Sequence, residues 1–243
     1  MLRHVERIPV HGYDVDAFGE LSLPALAAYL QELAGHHATE LGCGLEALRP
    51  RGLTWVLVRQ RVEAPRPIPL GEELEIATWP SGIHPLVVTR EFTVSGRDGA
   101  ALARASTAWL VLDLATRRPV KPGAVLDPAL RPHLEAVAAI PPRLPEPAPD
   151  AASRRFEVRY ADIDVNRHVT NTSYLAWALE GVPEATWLTE RACAAEVHYL
   201  AEARLGDAAL VRTDGAGRER THAVLREADG KELARLRTRW TAR

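Results

Sequence analysis

The chain has 243 residues, enough for one large domain or two of about 120, with 47% hydrophobic and 26% charged residues, the composition of an ordinary globular protein. A formal net charge of -2 leaves no global basic field, which argues against a nucleic-acid partner. Cys43 and Cys193 stand far apart without metal-type spacing, which argues against a disulfide framework or a zinc site; the N-terminus has no apolar core of signal-peptide length and no run elsewhere reaches the roughly 18 apolar residues of a membrane span, so a cytoplasmic protein is expected.

In chain order, a short strand (4–11) leads into a turn and then a helix over 24–41. Ser22 stands at its N-cap, and Leu26, Tyr29, Leu30 and Leu33 form one apolar stripe. Strands follow at 53–64, 72–79, 86–95 and 101–113, with Gly71 and Asp98-Gly99 as turns between them. Residues 116–153 are dense in proline and read as a surface linker, with room for a short helix around 127–138. A strand (154–160) and a second helix come next, with Thr170 at the N-cap and Tyr174, Trp177, Ala178 and Gly181 on one face. The last strands are 195–203, 208–213, 218–227 and 231–241, and Pro183 and Gly42 fit helix ends.

These two halves are one pattern written twice. Placing 12–32 under 160–180, a shift of 148, brings Asp14 onto Asp162, Asp16 onto Asp164, Ser22 onto Thr170 and Tyr29 onto Trp177. A second match, "DGAALARASTAW" (98–109) under "DGKELARLRTRW" (229–240), has a shift of 131. The later copy has therefore lost about 17 residues between its helix and its last strand. One helix followed by a long antiparallel sheet, made twice, is an α+β arrangement in which each sheet wraps its own helix. The expected domains are 1–115 and 154–243, joined by the linker 116–153.

The segment 160–177, "YADIDVNRHVTNTSYLAW", crowds carboxylates, an asparagine and a histidine in front of the second helix. Asp162 and Asn171 have a plain reading as turn and cap residues. The repeat sets the others apart, because the first copy has Phe18 opposite Asn166 and Glu20 opposite His168. Chemistry needed only for folding would be kept in both copies; a polar set in one copy is the mark of a single working site.

The stretch "DIDVNRHVTNTSYLAWALEGVP" closely resembles the Asp-Leu-Asp-Val-Asn-x-His-Val-Asn-Asn segment of the acyl-acyl carrier protein (acyl-ACP) thioesterases. "LPALAAYLQELAGHHATELG", "LTWVLVRQRVE", "ASTAWLVLDLATRRPVKP" and "EVHYLAEARLGD" extend the resemblance over about residues 4–240. It implies two tandem hotdog units, the fold in which a long antiparallel sheet wraps a central helix, and hydrolysis of the fatty acyl thioester of acyl carrier protein without cofactor or metal. The family's catalytic positions fall on Asp164, Asn166, His168 and Glu202, while a family cysteine next to the glutamate falls on Ala203, which removes a cysteine nucleophile there. Either Glu202 or Asp164 is then the base or nucleophile, with Asn166 and His168 orienting water and substrate. The amides of Thr172, Ser173 and Tyr174, at the helix N-terminus, are candidate oxyanion donors. Trp55, Val58 and Trp79 of the first copy are candidates for lining an acyl-tail tunnel, and Arg117, Arg118 and Lys121 for docking the acidic carrier. Readings to separate from this one are an acyl-coenzyme A thioesterase and a non-catalytic acyl-binding protein. The chain is expected as monomer or homodimer. The central spatial expectation is that folding brings Glu202 to the groups at 166 and 168.

Overall fold

A computed structural model describes residues 3–127 and 136–243, which divide into two compact units, Met1–Ile140 and Pro141–Arg243. The first contains β1 (His4–Pro9), α1 (Leu23–Glu40), α2 (Leu45–Leu48), β2 (Leu53–Glu63), β3 (Glu73–Ile83), β4 (Val87–Ser95), β5 (Ala101–Asp113) and a two-residue β6 (Pro119–Val120). The second contains β7 (Ala152–Glu157), α3 (Asn171–Glu180), α4 (Glu184–Thr189), β8 (Glu190–Tyr199), β9 (Ala208–Asp214), β10 (Glu219–Arg226) and β11 (Glu232–Ala242).

Within the first unit the antiparallel order is β1-β3-β4-β5-β2, and within the second it is β7-β9-β10-β11-β8, the same order element for element. Each unit is thus a sheet with one principal helix, the α+β double-hotdog arrangement. Among the described residues, no helix is long and apolar enough to cross a membrane.

The periodicity of α1 explains its burial. Leu26, Leu30 and Leu33 recur at helical spacing and are buried, each worth about 1.5–3 kcal/mol relative to exposure. Ser22 caps α1, its hydroxyl accepting from the Ala25 amide at 3.3 Å. Thr170 occupies the N-cap position of α3, but its hydroxyl makes no capping bond; its carbonyl accepts from the Ser173 amide instead. In α3, Tyr174, Leu175, Trp177 and Ala178 are buried, Trp177 packing on Phe156 and edge-on to Tyr174.

Several boundaries differ from expectation for identifiable reasons. β3 runs past Trp79 to Ile83 because Pro80, which has no amide to donate, sits at a register shift between Pro80 and Gly82. β8 begins at Glu190 and leaves the sheet after Tyr199, so residues 200–203 are an irregular segment rather than the end of a strand. The short α4 lies beyond Pro183, where the pattern showed only a helix end. The segment 116–153 is less uniform than a linker: β6 pairs with β5, and the boundary between the units falls at Ile140 and Pro141. Most of the helix expected around 127–138 lies outside the described residues, and 136–138 is not helical.

Polar groups are also buried in both units. In the first unit Arg90 donates to Thr78 at 3.1 Å and lies 2.9 Å from His37 Nδ1, and burial pulls its guanidinium down to about 10. In the second, His222 lies between the hydroxyls of Thr213 and Thr238, at 3.0 and 2.8 Å. Burial, with Arg220 nearby, pulls the imidazole down to about 3.

Candidate active site

The approach to α3 is built by two aspartates with different tasks. Asp162 closes a single 3-10 turn (Tyr160–Asp162): its carboxylate accepts from the Arg159 amide at 2.8 Å and the Arg159 guanidinium at 3.0 Å. Ser173 Oγ donates to it at 3.3 Å. Burial alone would raise its pKa, but the Arg159 contacts outweigh that and hold the carboxyl below the usual value.

Two residues on, Asp164 organises the loop 163–169. Its Oδ1 accepts from the amides of Asn166 (2.8 Å) and His168 (3.2 Å), and its Oδ2 from the Asn166 carboxamide (3.2 Å). Its own amide donates to the His168 carbonyl at 2.8 Å, closing the loop, and Arg167 takes a left-handed conformation at φ 63°. The first unit has the same device. Asp16 Oδ1 accepts from the amides of Phe18 and Glu20 at 2.9 and 3.1 Å, its amide donates to the Glu20 carbonyl at 2.8 Å, and Gly19 takes the left-handed position at φ 75°. The aspartate therefore shapes this loop whether or not a histidine is present.

Glu202 reaches the loop from the other side. The Val169 amide donates to the Ala203 carbonyl at 2.9 Å, and the Ala203 amide donates to the Tyr174 hydroxyl at 3.0 Å. Arg226 Nη2 donates to the Glu202 carbonyl at 2.6 Å, and the amides of Leu200 and Ala201 donate to the Leu233 carbonyl at 2.9 and 3.1 Å. Clamped on these sides, Glu202 places its Oε2 3.1 Å from His168 Nε2, with both side chains partly open to solvent. With the carboxylate ionised, the imidazole donates through Nε2–H. Tyr174 is buried, and burial, aided by the charge of Glu202, pushes its hydroxyl up to about 12.

Folding thus brings Glu202 to His168 directly, as expected, whereas the Asn166 carboxamide is turned toward Asp164. Of the candidate oxyanion donors, the Ser173 amide is taken up by the Thr170 carbonyl, and Tyr174 contributes through its hydroxyl as a strut; Thr172 is left as the first-turn candidate. The tail-binding candidates lie in the first unit. Trp55 is half-buried beside Ala38, Cys43, Val88 and Leu126, its Nε1 donating to the Cys43 carbonyl, and Val58 stands at the bulge between Leu57 and Arg59. Trp79 is on the opposite face of β3 from Thr78, which bonds to Arg90 in the interior, and carries the Arg3 guanidinium 5.3 Å over its ring. Arg117, Arg118 and Lys121 are exposed; Arg117 and Arg118 lie between the 114–116 turn and β6, bonded to Asp113 through their backbone, and Lys121 follows β6, so they sit in the first unit rather than in a free linker. Sequence reasoning missed Arg226 and the Tyr174 hydroxyl, which hold the Glu202 segment through its backbone and leave no local pattern.

A sheet-wrapped helix made twice, with the His168–Glu202 pair at the helix approach of the second copy, defines a double-hotdog protein with one candidate hydrolytic centre. The acyl-ACP thioesterase N-terminal domain model matches residues 2–126 and the C-terminal domain model residues 146–242, so the chain belongs to the acyl-ACP thioesterase family. It is 26% identical over 257 residues to the chloroplastic acyl-[acyl-carrier-protein] hydrolase FATB2 of Cuphea viscosissima, covering 97% of this chain and 62% of that one. It thus spans about three fifths of the length of such plant relatives. The crystal structure of an acyl-ACP thioesterase from Bacteroides thetaiotaomicron superposes with a TM-score of 0.82 at 25% identity, covering 98% of each chain. The 12:0-ACP thioesterase from Umbellularia californica shares the fold, with a TM-score of 0.85 at 23% identity over 100% of this chain and 98% of that one.

Proposed function

We propose that this chain hydrolyses the thioester of a fatty acyl group carried on acyl carrier protein, releasing the fatty acid and the carrier thiol. The observation that carries this reading is the 3.1 Å contact between His168 Nε2 and Glu202 Oε2 on a braced segment, in one copy of a fold whose other copy keeps the loop without the pair. Glu202 acts as general base. A carboxylate has about four lone-pair sites, so one engaged by an imidazole still takes a proton from water. The hydroxide attacks the thioester carbon, the tetrahedral intermediate expels the thiolate, and the proton held by Glu202 passes to the sulfur. His168 fixes the carboxylate's direction, and Asn166 and the Thr172 amide are the groups assigned to the substrate carbonyl. Asp164 holds the loop. The first unit receives the acyl tail, with Trp55 and Val58 near it, and Arg117, Arg118 and Lys121 meet the carrier.

The test is thiol release from a series of acyl-ACP substrates and the matching coenzyme A esters. Turnover on the carrier series, lowered about 10³-fold by Glu202→Gln, is the expected result. Preference for the coenzyme A esters would assign the same chemistry to another carrier, and binding without turnover on either series would leave an acyl-binding protein.

A further inference from the structure

Outside the candidate centre, strand β1 and helix α1 bring together a second set of side chains that the proposed hydrolysis does not use. His4 and Glu6, two apart on β1, face α1; Glu32, His36 and Glu40, four apart, line one face of that helix. Glu6 Oε1 lies 2.6 Å from His4 Nε2 and 2.7 Å from His36 Nδ1, so two imidazole nitrogens and a carboxylate oxygen converge on one point. The far nitrogen of each ring is also engaged: His4 Nδ1 lies 2.9 Å from Glu40 Oε1, and His36 Nε2 lies 3.1 Å from Glu32 Oε1.

We propose that His4, Glu6 and His36 form a binding site for one divalent transition-metal ion of the zinc type. Two imidazoles and a carboxylate are a donor set suited to zinc and its neighbours. The outer carboxylates add an independent sign, since a metal-bound imidazole ordinarily donates its other N–H to a carboxylate that fixes its tautomer and orientation. Glu40 would do this for His4 and Glu32 for His36. The spacing is within reach, because tetrahedral ligands at about 2.0–2.1 Å from zinc stand about 3.4 Å apart, which needs an opening of under about 1 Å. Charge favours the ion as well. With both imidazoles neutral, three carboxylates surround the two rings, and a divalent cation offsets most of that charge. Stacking of His4 on buried His37, with centroids 5.6 Å apart, and partial burial of His4 hold one ligand firmly, while half-exposed His36 leaves a route from solvent. The ion would staple edge strand β1 to the C-terminal half of α1. This site does not depend on the thioesterase reading.

The experiment uses the full chain without a histidine tag, stripped with chelator and titrated calorimetrically with Zn²⁺, then with Co²⁺ to read a tetrahedral visible spectrum. One ion per chain is expected, with zinc raising the melting temperature of the wild type. His36→Gln, at a half-exposed helix position, should abolish the high-affinity phase, Glu40→Gln should weaken it about 10- to 100-fold, and His168→Gln should leave it unchanged. Equal binding by wild type and His36→Gln, or loss of the ion in His168→Gln, overturns the proposal. If Glu6→Gln failed to fold, the two α1 variants would still decide the matter.

Discussion

Two carboxylates compete for the role of base, and the duplicated loop supplies an internal control that separates them. Glu202→Gln keeps size and an acceptor for His168 but removes basicity, so the rate should fall about 10³-fold with little change in stability. Asp164→Asn does something different. The two amide bonds to Oδ1 pass from charge-assisted to neutral, at roughly 1 kcal/mol each. The new amide group would face the Asn166 carboxamide, a donor 3.2 Å away, and turning one of them costs about another 1 kcal/mol. A loss of about 2–3 kcal/mol lowers the melting temperature by about 4–12 °C in a chain of this size, while the rate falls only about tenfold as His168 loosens. Asp16→Asn weakens the equivalent amide bonds to Phe18 and Glu20 in the same way; it should cost about 2 kcal/mol and leave the rate intact. Thermal unfolding and thiol release on all three variants give the comparison. If Asp164→Asn, assayed well below its melting temperature, loses as much rate as Glu202→Gln, Asp164 has a chemical role and the loop argument fails.

Tyr174→Phe leaves the Ala203 amide without its acceptor and should cost about 1–3 kcal/mol, with a fall in kcat; because the phenol is pushed up to about 12, the alkaline limb of the pH–rate profile should be the same in both proteins. His222 is held neutral, with its pKa pulled from 6.5 to about 3. The unfolded chain therefore binds the extra proton between these values, and stability falls as the pH drops from about 6.5 toward 3. The loss between pH 7 and 5 is about 2 kcal/mol, readable by urea unfolding and removed in His222→Gln. Burial raises the Cys43 thiol, and Cys193 is the more accessible, so Cys193 should react first with a thiol reagent. Replacing both cysteines by alanine should keep kcat within about twofold of wild type, since neither has a part in the chemistry; a large loss would revive a thiol nucleophile.

The sequence made the architecture legible because duplication doubles every signal. The match of Asp14 and Asp16 to Asp162 and Asp164 corresponds to the same loop, bond for bond. Where the copies diverge, reading becomes harder. The shift is 148 at Asp16 and Asp164 but 135 where the Leu21 and Val169 amides meet the carbonyls of Ile68 and Ala203, so most of the shortening lies between helix and second strand. There the 18-residue α1 in one unit answers to the 10-residue α3 in the other, and there the expected boundaries slipped. The register also places Pro67 opposite Glu202 and Glu20 opposite His168, so the first copy lacks both members of the pair. The cysteine spacing argues against a zinc site but tests thiolate ligands alone; His4 and Glu6 come from a strand and His36 from a helix 30 residues on, a spacing with no local signature. Tyr174 and Arg226 escape for a related reason: they secure Glu202 through backbone groups, so the pattern records them as one more core aromatic and one more strand arginine. A repeat reveals what its copies share and which side chains one copy lacks; the bracing that aims those side chains depends on tertiary contacts.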